Sequence, residues 1–251
     1  MERLALIIKG LSHNEDELIA DREYVATYAR FFNSIAGGAW DDNEILILEE
    51  PSIPDLSELV NKLKPDYAVT VLIGHGGIKD GSQLFLLSKD TVIKPGQFTL
   101  NIDKQLIIVE SCRTDASSIP FTDLENKIPM YKWGGYVRGQ IDRQTSKYLF
   151  FEQLKSCDNG IVICNACSPY QTANNYYFSN SLLQFGQNLF LDTRYHYRTF
   201  DILDMMPIVQ REVSEMVFNT HGIIQTPELN GTINFPFAVS KFDLLVRDKN
   251  R

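Results

Sequence analysis

Two stretches of this sequence decide its fold: LIGHGG at residues 72–77 and IIVESCRTD at residues 107–115. Each begins with an apolar run and then turns polar, with His75 after the first run and Cys112 after the second. Such runs are typical of central strands in a parallel sheet, which helices cover on both faces. In open α/β sheets, ligands and chemistry lie at the carboxyl ends of the strands. We therefore expect His75 and Cys112 to meet at one edge of such a sheet.

The rest of the chain alternates strand and helix patterns around these two stretches. Strands are predicted over residues 4–9, 44–48, 67–73, 105–109, 160–164 and 235–239, and a small hairpin over 84–95 lies beside the main sheet. Helices are predicted over 15–35, 55–63, 144–154, 180–191 and 201–218, with the last one interrupted near Pro207. This order predicts an α/β fold with a doubly wound, mostly parallel six-stranded sheet and helices on both faces. No repeat or linker divides the chain, so we expect a single domain.

The composition excludes several classes of protein. The 251 residues carry a formal net charge of −8, and 44% of them are hydrophobic, which suffices for a substantial core. No basic block interleaves with aromatic residues, so we expect no nucleic-acid partner. The apolar stretch at the amino terminus, residues 4–8, is too short for a signal peptide or a membrane span. We therefore predict a cytoplasmic protein with no membrane partner.

The cysteines do not indicate a disulfide framework or a metal site. Cys164 and Cys167 form a C-x-x-C, but no second pair and no paired His follow at ligand spacing. We interpret both as buried small side chains. The loop pattern of a calcium-binding EF-hand is also missing from the sequence. We expect neither a metal nor another cofactor.

His75 and Cys112 form the combination that nucleophilic catalysis needs. A thiol with an ordinary pKa of about 8.5 is only about a few per cent ionised at neutral pH, so it needs a neighbouring base. An imidazole can take the thiol proton and later return it to a leaving amine. Gly76 lets a substrate approach closely, and its N–H and that of Cys112 are the predicted donors to a developing oxyanion. A large side chain at Gly76 should then stop turnover and leave the fold largely intact. We interpret His13 as an ordinary polar residue with no catalytic role.

The order of these motifs resembles the caspase and metacaspase superfamily of cysteine proteases (the caspase–legumain–separase superfamily), including its bacterial members. His75-Gly76 ends one strand, and E-S-C-R-T at 110–114 ends the next main strand, with Cys112 placed 37 residues after His75 (112 − 75 = 37). Three downstream stretches are similar to later parts of that family: NGIVICNACSPYQTANN (159–175), YFSNSLLQFG (177–186) and QTPELNG (225–231).

The resemblance implies a fold and an activity. It implies one caspase-like peptidase domain over residues 1–251, with a large-subunit-like part at 1–125, a connection at 126–158 and a small-subunit-like part at 159–251. It also implies a cysteine endopeptidase that acts on protein substrates through the pair His75 and Cys112.

The residues that the resemblance assigns to the substrate pocket differ from those of true caspases, which bind aspartate through two arginines and a Gln two residues before the Cys. Glu110 replaces that Gln, the loop after the first strand is acidic at Asp16 and has no Arg, and Asn174 falls about where the second Arg would be. A carboxylate without a guanidinium rejects an acidic substrate residue and favours Lys or Arg, as in metacaspases. Those enzymes usually have Asp in place of Glu110 and a further acid near Tyr170. A substrate with an amide side chain before the scissile bond therefore remains an alternative. A purely structural role for Glu110 is a second alternative.

In this family the connection after the catalytic Cys is often cut during activation. The basic residues of this connection are Lys127, Lys132, Arg138, Arg143 and Lys147. They suit self-cleavage by an enzyme that prefers basic residues, although a solvated charged surface is the simpler interpretation. Bacterial members often act with a partner that senses a signal, sometimes in antiviral defence. The resemblance therefore implies a switch that comes from an activating partner protein, from a small ligand or from self-cleavage. The alternative is a caspase-like pseudoenzyme that acts by binding.

Overall fold

A computed structural model gives the architecture, and it describes residues 1–98, 100, 102–115, 141–174, 176–191 and 198–240. In chain order the strands are Arg3–Lys9 (β1), Ile45–Glu49 (β2), Tyr67–Ile73 (β3), Gly76–Lys79 (β4), Ser82–Ser88 (β5), Thr91–Ile93 (β6), Lys104–Glu110 (β7), Gly160–Asn165 (β8), Thr199–Asp201 (β9), Glu228–Asn230 (β10) and Pro236–Val239 (β11). The helices are Glu15–Asn33 (α1), Ile53–Leu63 (α2), Arg143–Ser156 (α3), Tyr177–Leu191 (α4) and Ile202–His221 (α5).

The main sheet has six strands in the spatial order β10-β8-β7-β3-β1-β2. All neighbours are parallel except β10, which pairs with β8 in the antiparallel sense. β3 lies between β1 and β7 and is buried along its whole length, as its run of apolar residues predicts. The predicted fold class, an α/β fold with a mostly parallel six-stranded sheet, is confirmed.

The two faces of the sheet bury separate sets of side chains, because successive residues of a strand point to opposite faces. One face carries the larger core, in which Ile7, Val71 and Ile108 pack against side chains from α1, α3, α4 and α5. The other face carries a smaller core, which includes Leu72 from β3, Leu56 from α2 and residues of the small sheet β4-β5-β6. Helices therefore cover both faces of the sheet. Helix α1 lies on the face to which Val71 and Ile108 point.

The last part of the chain differs from the prediction. Residues 236–239 do form a strand, but β11 pairs with β9 in a separate two-stranded sheet. The sixth strand of the main sheet is instead β10, a three-residue strand inside QTPELNG. So short a strand has no readable alternation, and a sequence pattern does not separate it from a loop.

The predicted interruption of α5 at Pro207 does not occur. The helix continues from Ile202 to His221 through this proline. Pro207 is exposed, so the carbonyl that loses its helical partner can bond to water instead. Apolar side chains on the opposite side of the helix, including Val209 and Val213, are fully buried and hold it against the sheet.

The predicted connection 126–158 is helical in its second half, where α3 begins at Arg143, while residues 126–140 lie outside the described part of the chain. None of the helices in the described ranges combines the length and the hydrophobicity that a membrane-spanning segment requires.

Candidate active site

His75 and Cys112 follow two neighbouring strands in the middle of the sheet. β3 and β7 pair with Ile73 opposite Glu110, and the Gly74 N–H donates to the Glu110 carbonyl at 3.2 Å. Each of the two predicted residues is thus two positions beyond this register pair, and neighbouring strands run only about 4.8 Å apart. The structure therefore brings His75 and Cys112 to the same carboxyl edge of the sheet.

The ring of His75 is held by the segment that follows β1. Its Nε2 lies 3.0 Å from Oε2 of Glu17, and the ring of His13 packs on it with 4.0 Å between the ring centroids. Burial by itself would raise the pKa of Glu17, but the His13 N–H and the His75 ring together hold that pKa below its ordinary value. The group beside the imidazole at neutral pH is therefore a carboxylate.

Sequence reasoning misses Glu17 and assigns His13 no role in the site. A signal for Glu17 does exist, since Asn14 and Glu17 have the spacing of a helix-capping pair at the start of α1. In a doubly wound sheet, the helix that follows a strand begins at the carboxyl edge. A carboxylate in the first turn of α1 therefore lies at the edge where His75 emerges.

The thiol of Cys112 rests against the main chain. Its Sγ lies 3.6 Å from the carbonyl oxygen of Ala173, and within the described ranges no hydrogen bond joins it to the His75 ring. Burial raises the pKa of Cys112, the main chain of Ala173 opposes this shift, and the nearby Glu110 carboxylate adds to it. The resting group at neutral pH is therefore the thiol, and a base is needed to make it a nucleophile.

The N–H of Gly76 points toward the segment that carries Cys112. In the antiparallel ladder of β4 and β5, the Leu86 N–H donates to the His75 carbonyl at 2.9 Å. Hydrogen bonds in such a ladder alternate, so the N–H of the next residue, Gly76, is directed away from β5. Two residues further on, the Ile78 N–H points the same way and donates at 2.7 Å to a carbonyl two residues beyond Cys112.

Packing leaves no room for a side chain at Gly76. A Cβ atom there would lie 2.6 Å from the Leu84 carbonyl oxygen and 2.6 Å from Oγ of Ser111. The first of these atoms belongs to the backbone of the partner strand, so a substitution must displace the strand. The expectation that a large side chain at Gly76 leaves the fold intact is therefore wrong. Close packing explains the glycine, and an oxyanion role for its N–H is compatible with that explanation.

Glu110 is buried beneath this edge, on the side of α1 and α4. One of its carboxylate oxygens accepts hydrogen bonds from the Ser179 N–H, at 2.8 Å, and from the Ser179 hydroxyl. Burial raises the pKa of Glu110 to about 7, although the Ser179 bonds act in the opposite direction and the charge of Asp21 adds to the rise. Glu110 thus has a structural role at the start of α4, which was one of the two interpretations that the sequence left open.

A second acidic residue of α1, Asp21, faces the region of Glu110. It accepts hydrogen bonds from the Ser12 hydroxyl, at 2.6 Å, and from the Tyr176 hydroxyl, and burial raises its pKa. Asp16, the residue assigned to the pocket from the sequence, is exposed on the first turn of α1. The difference follows from helix geometry, because Asp21 and Glu17 are four residues apart and share one face of α1, and Asp16 lies off that face.

The two remaining pocket candidates lie in the loop between β8 and α4. Tyr170 has a left-handed backbone with φ of 64°, its side chain is 72% exposed, and its N–H donates to the Arg113 carbonyl at 2.7 Å. Asn174 is buried, and its N–H donates to Oε1 of Gln225 at 2.9 Å. The structure therefore brings Tyr170 next to the residue after Cys112, whereas Asn174 is tied to the interior.

All four cysteines are free. Cys164 and Cys167 are buried, and burial raises the pKa of both thiols, as expected for small core side chains. In the part of the chain that the structure describes, no group of three or more His, Cys, Asp or Glu side chains is arranged to hold a metal ion.

Comparisons with known proteins add a distant structural likeness. No protein-family model matches the sequence, and no curated protein matches it. Among solved structures, the Drosophila initiator caspase Dronc is similar to this chain with a TM-score of 0.48 and 12% sequence identity. The aligned region covers 96% of this chain and 81% of that chain. A likeness at this level carries no information on activity, which has to be argued from the site.

Proposed function

We propose that this protein is a cysteine endopeptidase in which Cys112 is the nucleophile and His75 the general base. The observation that carries this proposal is the register of β3 and β7, which brings both residues to one carboxyl edge of the sheet. An imidazole beside a thiol at such an edge is the minimum that acyl transfer through a cysteine requires.

The proposed reaction follows from these groups. His75 takes the proton of the Cys112 thiol as Sγ attacks the scissile carbonyl, and the N–H groups of Gly76 and Cys112 stabilise the oxyanion that forms. The C–N bond then breaks as the imidazolium returns the proton to the leaving amine, which leaves an acyl-enzyme on Sγ. Water, deprotonated by His75, hydrolyses the thioester and restores the thiol. The inward direction of the Gly76 N–H supports the oxyanion role.

The charges near this edge favour substrates with a basic residue before the scissile bond. Glu110 and Asp21 are buried carboxyl groups near this edge. The guanidinium of Arg113 is held by Glu228 and by the Cys167 carbonyl, so it is not free to bind an acidic substrate residue. The electric field of these two carboxyl groups, which are also hydrogen-bonded within the fold, would attract a cationic substrate side chain and repel an anionic one.

A substrate panel tests the activity and the preference together. Fluorogenic peptides that differ only in the residue before the scissile bond (Arg, Lys, Gln or Asp) are offered to wild type, Cys112→Ala, Glu110→Gln and Asp21→Asn. We expect wild type to cleave the Arg and Lys peptides at least about 100-fold faster than the Asp peptide, since the wrong charge in a buried site costs several kcal/mol. Cys112→Ala should be inactive, and the two pocket variants should lose part of the preference. Equal cleavage by Cys112→Ala would reject the proposed nucleophile, and a strong preference for Asp would reject the proposed pocket.

One observation favours the alternative, a pseudoenzyme that acts by binding. The Cys112 thiol is protonated and rests on Ala173 instead of on the imidazole. In an enzyme this arrangement represents a resting form, which an activating partner or a signal converts to the active one. A peptide inhibitor with a thiol-reactive group separates the two functions. The inhibitor should label Cys112 of an enzyme. It should leave Cys112 of a pseudoenzyme unlabelled, even when an activating partner is present.

A further inference from the structure

One oxygen of Glu17 joins the start of α1 to the proposed catalytic base. Oε2 accepts the His13 N–H at 2.8 Å and lies 3.0 Å from Nε2 of His75. The Glu17 N–H in turn donates to the side chain of Asn14 at 2.9 Å, so both ends of Glu17 are fixed. The carboxylate is therefore held in place before it meets the imidazole.

This contact decides which nitrogen of His75 carries the proton. The pKa of Glu17 is below its ordinary value, so the group is ionised and can only accept hydrogen bonds. Nε2 must then be the nitrogen that carries the hydrogen, and Nδ1 is left as the basic nitrogen of the neutral ring. In the described ranges no hydrogen bond to Nδ1 is formed by another residue, so this nitrogen is available to a thiol.

A purely structural explanation accounts for part of this geometry. Glu17 is the third residue of α1, and a glutamate at that position commonly reaches back to a backbone N–H at the helix start, as it does here with His13. Capping requires that bond and the bond to Asn14. Capping does not require the His75 imidazole to contact the same Glu17 oxygen. That contact needs a separate explanation.

We propose that Glu17 is a positioning residue for His75: it fixes the ring with Nδ1 as its basic nitrogen and stabilises the imidazolium that forms when Cys112 loses its proton. The proposal rests on the proposed function, because it gives His75 and Cys112 the roles stated above. It adds a third member, so that the working unit is Cys112, His75 and Glu17. The packing of the His13 ring on His75 limits the ring's rotation and supports the same orientation.

Other titratable groups around the pair have to be separated from Glu17 in any test. The segment after β1 contributes His13 and Asp21, and β7 contributes Glu110. The loop after β8 contributes Cys167, whose thiol interacts electrostatically with Cys112. None of these groups is changed when Glu17 is replaced by Gln. The amide oxygen of Gln can still accept the His13 N–H, so that substitution preserves the cap and removes the charge.

The experiment measures how fast iodoacetamide alkylates Cys112 as a function of pH, by mass spectrometry of the peptide that contains this residue. An imidazole that takes the thiol proton as Sγ attacks lets the thiol react at a pH below its own pKa, and an isolated thiol does not react there. We expect wild type to react at about pH 7 and Glu17→Gln to react about 10-fold more slowly there. The difference should shrink toward about pH 10, where hydroxide in the solution removes the thiol proton without His75. His75→Ala should lose the low-pH reaction entirely, and Glu15→Gln, which removes a neighbouring exposed charge from the same helix turn, should match wild type.

The possible outcomes separate this proposal from the proposed function. Peptide cleavage is measured on the same samples, and Glu17→Gln should lower kcat by about 100-fold with KM nearly unchanged, as expected for loss of base positioning. If the low-pH alkylation depends on Glu17 but wild type cleaves no peptide, the positioning role holds and the endopeptidase proposal fails. If Glu17→Gln keeps the low-pH alkylation, or if wild type has none, the positioning role is rejected whatever the cleavage assay shows.

Discussion

At the scale of single residues, the most informative group is Glu110, which stands two positions before Cys112 in the sequence and is buried in the fold. From the sequence it was either a pocket carboxylate or a structural one. The structure gives it a structural bond to Ser179, and Asp21 faces the same region. A buried carboxyl group with no cation beside it is stable mainly in its protonated form. Glu110 therefore links the stability of the fold to pH.

We expect the Glu110→Gln variant to gain stability relative to wild type as the pH rises. The pKa of Glu110 is about 7 in the folded protein, against an ordinary value of 4.5, so the folded state binds this proton more tightly than the unfolded state does. The stabilisation from the protonated form is complete below about pH 4.5 and is lost as the pH rises to about 7, a change on the order of 3 kcal/mol for a fully buried group. Urea unfolding at about pH 4 and about pH 8 measures this change.

The matched control for this test is Glu49→Gln. The pKa of Glu49 is lowered by its bond to Arg22, so the difference between that variant and wild type should change with the opposite sign. A Glu110→Gln variant whose stability relative to wild type is the same at both pH values would contradict the assignment of a raised pKa.

At the scale of secondary-structure elements, the amino-terminal strand is joined to the segment after α1 by a buried arginine. Arg3 contacts both carboxylate oxygens of Glu44 at 3.0 Å, and its guanidinium also donates to the Gly38 carbonyl at 3.0 Å. The group lies over the ring of Trp40, 4.3 Å from the ring centroid. These contacts fix the turn that leads from α1 into β2, and hence the position of α1 on the sheet.

We expect Arg3→Met to lower the free energy of unfolding by about 3 kcal/mol, because it removes a buried charged donor from the Glu44 carboxylate and from the Gly38 and Ala39 carbonyls. Arg22→Met is the matched control, since it removes an Arg–Glu pair of similar geometry whose two side chains are 54% and 43% exposed. Solvent screens exposed pairs, which then contribute little to stability, so this variant should unfold almost as wild type does. Equal losses in the two variants would show that burial does not set the strength of these pairs.

At the scale of the whole molecule, the structure limits the positions at which the proposed active site could cut its own chain. Arg143 and Lys147 belong to α3; Arg143 donates to the Trp40 carbonyl at 2.9 Å, and the Lys147 ammonium pairs with Asp41. A protease binds its substrate as an extended chain, so a cut next to either residue would first require α3 to unwind. The other basic residues of the predicted connection, Lys127, Lys132 and Arg138, lie outside the described residues.

We therefore expect self-cleavage, under conditions in which wild type cleaves peptides, to occur after Lys127, Lys132 or Arg138. Intact-mass spectrometry of incubated wild type should show fragments that end at these residues, and the Cys112→Ala protein should stay whole. Fragments that end at Arg143 or Lys147 would contradict the role assigned to α3. Equal nicking of the Cys112→Ala protein would show that another protease makes the cut.

The sequence by itself determined five of the six strands of the central sheet and the two residues that follow its middle strands. The apolar runs within 67–73 and at 106–109 can be stable only between two covered faces, and the polar residues that follow them then fall at the carboxyl edge. Only the tertiary structure decided which carboxylates surround that edge. Glu17 and Asp21 approach His75 and Glu110 because α1 packs across the sheet, and contacts between residues this far apart in the chain leave no periodic pattern in the sequence. The sixth strand was likewise decided by pairing, since a three-residue segment acquires its structure from the neighbour to which it bonds.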